Sequence, residues 1–187
     1  MITGGTPTRI AEGLAWEVQP RFSPDGSRIA FTSDRAGGDN IWLMDRDGSN
    51  KQQLTKESFR LLNQPSWSPD GRWITFARQT IRGFYGDTRR FMLHDRRAGE
   101  NRRLAADWDR SADGIVWSAD SKALFGAIDD AGVRRVYRFR VEDGRPTPLT
   151  GDTSFSDLAA ASDGSVLVGL EQSFVQPPTL VRIDPRG

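Results

Sequence analysis

The chain has 187 residues, enough for one ordinary domain with a sizeable core. Lys and Arg total 26 against 25 Asp and Glu, and a net charge of +1 gives no reason to expect nucleic acid or an anionic membrane surface as partner. Cys is absent, which excludes disulfides, thiolate metal sites and a cysteine nucleophile, and no apolar run approaches the roughly 20 residues of a membrane-spanning helix.

From the N-terminus, Met1 to Pro7 shows neither a basic segment nor an apolar stretch, so no secretory signal is read and a cytoplasmic location is the default expectation. Residues 5–10 match residues 144–149 in composition and read as an outer strand without a sheet of its own. A set of four strands follows, at 20–22, 28–33, 40–44 and 51–55, with Phe22-Ser23-Pro24-Asp25-Gly26 between the first two.

The set recurs. Trp67-Ser68-Pro69-Asp70-Gly71 heads strands at 73–76, 91–94 and 102–104. Trp117-Ser118-Ala119-Asp120-Ser121 heads strands at 123–126, 136–139 and 147–150. Ala161-Ser162-Asp163-Gly164 heads a weaker set at 165–170 and 179–183 that lacks a fourth strand. The aspartates fall at 25, 70, 120 and 163, intervals of 45, 50 and 43 residues, which suits a four-stranded propeller blade.

The turn chemistry explains the recurrence. Proline presets φ, aspartate bonds the backbone two residues on, and glycine accepts positive φ, so Asp25, Gly26, Asp70, Gly71, Asp120, Asp163 and Gly164 are read as structural turn residues. Phe22, Trp67 and Trp117 are expected between adjacent sheets. The expected fold is all-β, one domain over 1–187: a β-propeller of four four-stranded antiparallel blades at about 18–55, 64–105, 114–150 and 158–187, the last closed by the strand at 5–10. Half of a larger propeller is the alternative, including a homodimer forming an eight-bladed ring.

On these motifs the chain resembles the TolB-like, WD-like propeller repeat. The first copy, with Asp39-Asn40-Ile41-Trp42 and Met44-Asp45-Arg46-Asp47-Gly48-Ser49, is similar to TolB-type propellers that precede amidohydrolase domains. From Trp67 onward, Trp108-Asp109-Arg110-Ser111, the insertion at 79–90 and the run 174–180 resemble the N-terminal propellers of prolyl oligopeptidase family serine peptidases. The resemblance implies chemistry in a separate α/β-hydrolase domain, and no Gly-x-Ser-x-Gly elbow occurs in this sequence. His94 is the one histidine, too few for an amidohydrolase metal site and, alone on a strand, read as packed. No catalytic residue, metal or cofactor is expected. Asp45 to Asn50 lacks the spaced ligands of a calcium loop and reads as a hairpin.

Two classes of loop therefore matter. Short turns share one end of the sheets; the longer connections, within and between blades, share the other, where repeat scaffolds usually bind. The richest set brings Arg82, Phe84, Tyr85, Asp87, Arg89 and Arg90 beside Trp108, Asp109 and Arg110. Arginine forks and aromatic rings suit the carboxylates and apolar parts of a peptide. The plainer reading packs Trp108 between blades and leaves Asp109 and Arg110 bonding their own loop. The expected function is a non-catalytic scaffold or binding module for protein or peptide. The alternatives are a substrate-gating propeller of a prolyl oligopeptidase family peptidase and a TolB-like envelope protein-binding module.

Overall fold

The computed structural model describes residues 5–58, 61–81, 84, 86–111 and 113–187. Every regular element among them is a strand, grouped in chain order into antiparallel sheets. Sheet 1 holds β1 (Glu17–Phe22), β2 (Arg28–Ser33), β3 (Asn40–Asp45) and β4 (Gln52–Gln53). Sheet 2 holds β5 (Leu61–Trp67), β6 (Trp73–Gln79), β7 (Arg90–Asp95) and β8 (Glu100–Arg103). Sheet 3 holds β9 (Asp113–Trp117), β10 (Ala123–Asp130), β11 (Val133–Arg140) and β12 (Pro146–Pro148), and sheet 4 holds β13 (Ser154–Ala160), β14 (Leu167–Ser173) and β15 (Gln176–Ile183). Each sheet meanders with its first strand at one edge, as propeller blades do.

Alternation gives each sheet two apolar faces, and successive sheets bury them against one another. Ala30 and Leu43 of sheet 1 pack with Trp67 and Ile74 of sheet 2. Phe91 and Leu93 of sheet 2 pack with Trp117, Leu124 and Phe139 of sheet 3, and Phe125 and Val136 pack with Phe155 and Leu167 of sheet 4. Trp67 also donates its indole N–H to the Arg21 carbonyl at 3.0 Å, joining sheets 1 and 2. The cores are therefore the layers between sheets, not the middle of a single sheet.

The turns owe their geometry to a Ser–Asp pair. Ser23, Ser68 and Ser118 each donate the hydroxyl to the aspartate two residues on, at 2.6, 2.6 and 2.7 Å. The same oxygens accept the backbone N–H of Arg28, Trp73 and Ala123 at 2.8 to 2.9 Å. Gly26, Gly71 and Gly164 take φ of 69°, 67° and 73°, and Ser121 takes 60° in the same position. In the fourth copy Ala161 N donates to Val166 O as Ser23 N donates to Arg28 O. Ala161 thus holds the place of the bonding serine, and Ala160 that of the head aromatic.

Two expectations are corrected. Phe22, expected between sheets like Trp67 and Trp117, is 63% exposed. Sheet 4 has three strands, and residues 5–10 form none. Ile10 packs instead on Ile29, Phe31 and Met44 of sheet 1, so the first segment lies against the first sheet and leaves β15 without an outer neighbour.

Candidate functional site

The long connection from β6 to β7 and the one from β8 to β9 meet at one end of sheets 2 and 3. The Asp87 carboxylate gathers the first by accepting the N–H of Ile81 at 2.7 Å and of Thr80 at 2.5 Å. These bonds hold it below the usual carboxylate range despite some burial. Arg89 donates its backbone N–H to Ser111 at 3.1 Å, joining the two connections. Phe84 is 56% exposed at the tip. Arg82 and Tyr85 lie outside the described residues.

Trp108 is partly buried between sheets 2 and 3, its ring 5.0 Å from Tyr137 and 5.2 Å from Phe139. Its ring is therefore a packing element. Its carbonyl instead marks the polar centre: it accepts Arg103 at 2.9 Å and Arg90 at 3.3 Å. Arg78 stands in the same group, 3.8 Å from Glu57. Burial lowers the pKa of Arg103 first, with the charges of Arg90 and Arg78 adding to it. The Nε atoms of Arg78 and Arg103 are buried without a hydrogen-bond partner. The cleft that Arg89, Arg90, Arg103, Trp108 and Arg110 line leaves about 10 Å³, room for one water-sized group.

Asp109 and Arg110 are engaged elsewhere. Arg110 pairs with Asp109 at 2.7 Å and Asp130 at 3.4 Å. Asp130 also accepts Tyr137 Oη and Arg135, each at 2.6 Å, and these bonds, Tyr137's first, hold it below the usual range. Arg135 continues to Asp152 at 2.7 Å. The same end of the molecule carries a groove of about 320 Å³ between sheets 3 and 4, lined by Val133, Thr153, Gln172 and Phe174.

Of the expected binding residues, Arg89, Arg90, Trp108 and Arg110 thus line one cleft. Phe84 stands exposed on the same connection, and Asp109 belongs to the neighbouring ion-pair network. Arg78 and Arg103 were not singled out from sequence. They lie at the ends of β6 and β8 without a motif, and only the Arg102-Arg103 pair beside a long connection signals them.

His94 is buried, with Nδ1 3.0 Å from Asn101 Oδ1, and burial pushes its pKa down. Asp47 accepts both the N–H and the hydroxyl of Ser49 within a hairpin closed from Gly48 N to Asp45 O. No group of three or more metal-ligating side chains occurs among the described residues.

Residues 1–90 match the TolB beta propeller domain, PD40. The dipeptidyl-peptidase 5 of Porphyromonas gingivalis is 23% identical over 205 residues, covering all of this chain and 29% of the relative. The probable dipeptidyl-peptidase 5 of Arthroderma benhamiae is 25% identical over 79% of this chain and 23% of its own length. The chain thus spans under a third of these curated relatives. Among solved structures, TolB from Acinetobacter baumannii superposes with a TM-score of 0.67 at 20% identity, over 95% of this chain and 43% of that one. A puromycin-hydrolyzing peptidase of Mycobacterium tuberculosis superposes with a TM-score of 0.71 at 15% identity, over 95% and 28%. These superpositions show the shared fold.

Proposed function

We propose that this chain, a protein of TolB-type β-propeller repeats, is a non-catalytic scaffold and binding module that engages protein or peptide through its loop-rich end. The observation that carries the reading is the convergence of Arg90 and Arg103 on the Trp108 carbonyl, with Arg78 paired to Arg90 across β6 and β7. Among the described residues, Arg90 and Arg103 have no carboxylate within ion-pair distance, and Arg78 has only Glu57 at 3.8 Å. Like charges so grouped favour an incoming anion, and guanidinium forks suit a carboxylate that docks at the mouth of the cleft, whose interior admits only a water-sized group. The 320 Å³ groove beside exposed Phe174, at the same end, suits an apolar side chain.

The test titrates two fluorescein-labelled peptides of equal length into the chain: one with two glutamates and a free C-terminal carboxylate, the other amidated with glutamines. Saturable binding of the first, weakened at least about tenfold by R90Q or by amidation, is expected for a lost charged contact. Equal binding by both peptides and both proteins refutes the reading.

A second reading is favoured by the alignment of the Porphyromonas gingivalis relative with all of this chain. Here the module gates substrate access to a serine peptidase domain, and the loop-rich end faces that domain. Co-elution with an α/β-hydrolase encoded beside this chain, abolished by R90E, supports this reading over free peptide capture.

A further inference from the structure

The junctions between sheets repeat a detail at their outer edge. Leu54, Leu104 and Leu149 each follow a short outer strand and donate N–H to Ile41, Phe91 and Val136 at 2.8 to 2.9 Å. Each then meets the outer part of the following sheet. Asn101 reaches the Leu54 carbonyl at 3.4 Å, a Cβ on Gly144 would stand 2.6 Å from the nitrogen after Leu104, and one on Gly187 would stand 3.5 Å from Leu149.

Ile10 has the same surroundings at sheet 1. A Cβ on Gly48 would run into its carbonyl, and Lys51 reaches that oxygen at 3.4 Å. Ile10 is therefore placed as the end of an outer strand whose sheet lies before sheet 1. The head aromatics agree: Trp67 and Trp117 are each 8% exposed against the preceding sheet, while Phe22, in the same position, is 63% exposed. At the other end, Val181 and Ile183 face sheet 3, so the opposite face of sheet 4 presents the cross-strand pair Leu170 and Leu180, the latter 71% exposed. Within that sheet β15 pairs only with β14.

We infer that a second copy of this chain completes both ends. Sheet 4 of one copy packs on sheet 1 of the other, covers Phe22 and takes residues 5–10 of that copy as its fourth strand. The reverse contact closes a two-copy ring of eight sheets. The register follows from the other sheets. Gln53, Arg103 and Pro148, one before each leucine, pair with Trp42, Met92 and Tyr137. Val181 stands two residues before Ile183, the partner of Leu167, as Tyr137 stands two before Phe139, the partner of Leu124. Arg9 therefore lies opposite the partner's Val181, and Thr8 opposite the partner's Arg182. Reciprocal exchange of one element is a low-cost way to close a dimer, and it removes both exposed strand edges.

Sedimentation equilibrium of the full chain is expected to give twice 20.8 kDa, with F22D shifted to the monomer. The chain has no cysteine, so T8C and R182C proteins mixed and gently oxidised report the pairing: a T8C–R182C disulfide between copies is expected. A mass of 20.8 kDa at every loading concentration overturns the inference. So does a disulfide that forms within one copy of the double variant.

Discussion

The Ser121 hydroxyl accepts the backbone N–H of Asp70 at 3.0 Å, tying the turn of sheet 3 to that of sheet 2. Ser121 holds φ of 60°, the left-handed conformation that glycine supplies in the other three copies. The serine thus accepts backbone strain in return for a bond between sheets. Ser121→Ala keeps the strain and loses the bond, so urea unfolding should show a loss of about 1 to 2 kcal/mol. Ser121→Gly loses the bond and relieves the strain, and is expected within about 0.5 kcal/mol of wild type.

Trp67 buries its ring between sheets 1 and 2 and donates to Arg21 O. Trp67→Ala should cost about 3 to 5 kcal/mol in thermal or urea unfolding. Phe22→Ala, at an exposed head position, should cost under about 1 kcal/mol in the monomer, where the ring covers little.

The innermost strands carry matching register shifts, each beside a positive φ: Gln19, Gln64, Gly114 and Asp157 at 55°, 56°, 60° and 51°. Such bulges bend the strand and raise its twist. Asp157→Gly should stabilise by up to about 1 kcal/mol, and Gly114→Ala should destabilise by a similar amount. Paired denaturant curves at one pH compare the two.

Acid sensitivity should come from His94 and from the aspartates held below their ordinary value, of which Asp95 is the clearest ion-paired case. Burial lowers the His94 pKa from 6.5, so between the folded and unfolded values the unfolded chain binds more proton, and stability falls as pH drops below 6.5. H94Q should flatten that part of the profile. Arg72, foremost, holds Asp95 at about 2 against an ordinary 3.8, so the pair's contribution is present above pH 3.8 and fades as pH falls toward 2. R72Q should shrink that lower limb without abolishing it, since Asp25, bonded foremost by Ser23, is also held at about 2. Melting temperature against pH in each variant separates the two limbs.

The turns and strands were legible because their chemistry is local: Ser-Pro-Asp-Gly encodes a corner whatever surrounds it. The bulges were not, since Gln19 and Gln64 carry no turn preference and take positive φ through pairing with the second strand. Composition reads residues 5–10 as the strand that closes the last sheet, whereas Ile10 packs on Ile29, Phe31 and Met44 of sheet 1. Sequence could show the strand type and not its neighbour. The aromatic–arginine site was partly legible for the same reason. Arg89, Arg90 and Trp108 sit in conspicuous insertions, whereas Arg78 and Arg103 join them only through the antiparallel order of sheet 2.

The most direct test of the binding reading is a heteronuclear NMR titration of the labelled chain with the diglutamate peptide. Saturable shifts concentrated at residues 78, 84, 89–91, 103–111 and 172–175 are predicted, with the Arg103 and Trp108 amides among the largest. Shifts that are absent, unsaturable or centred on the short-turn end contradict it.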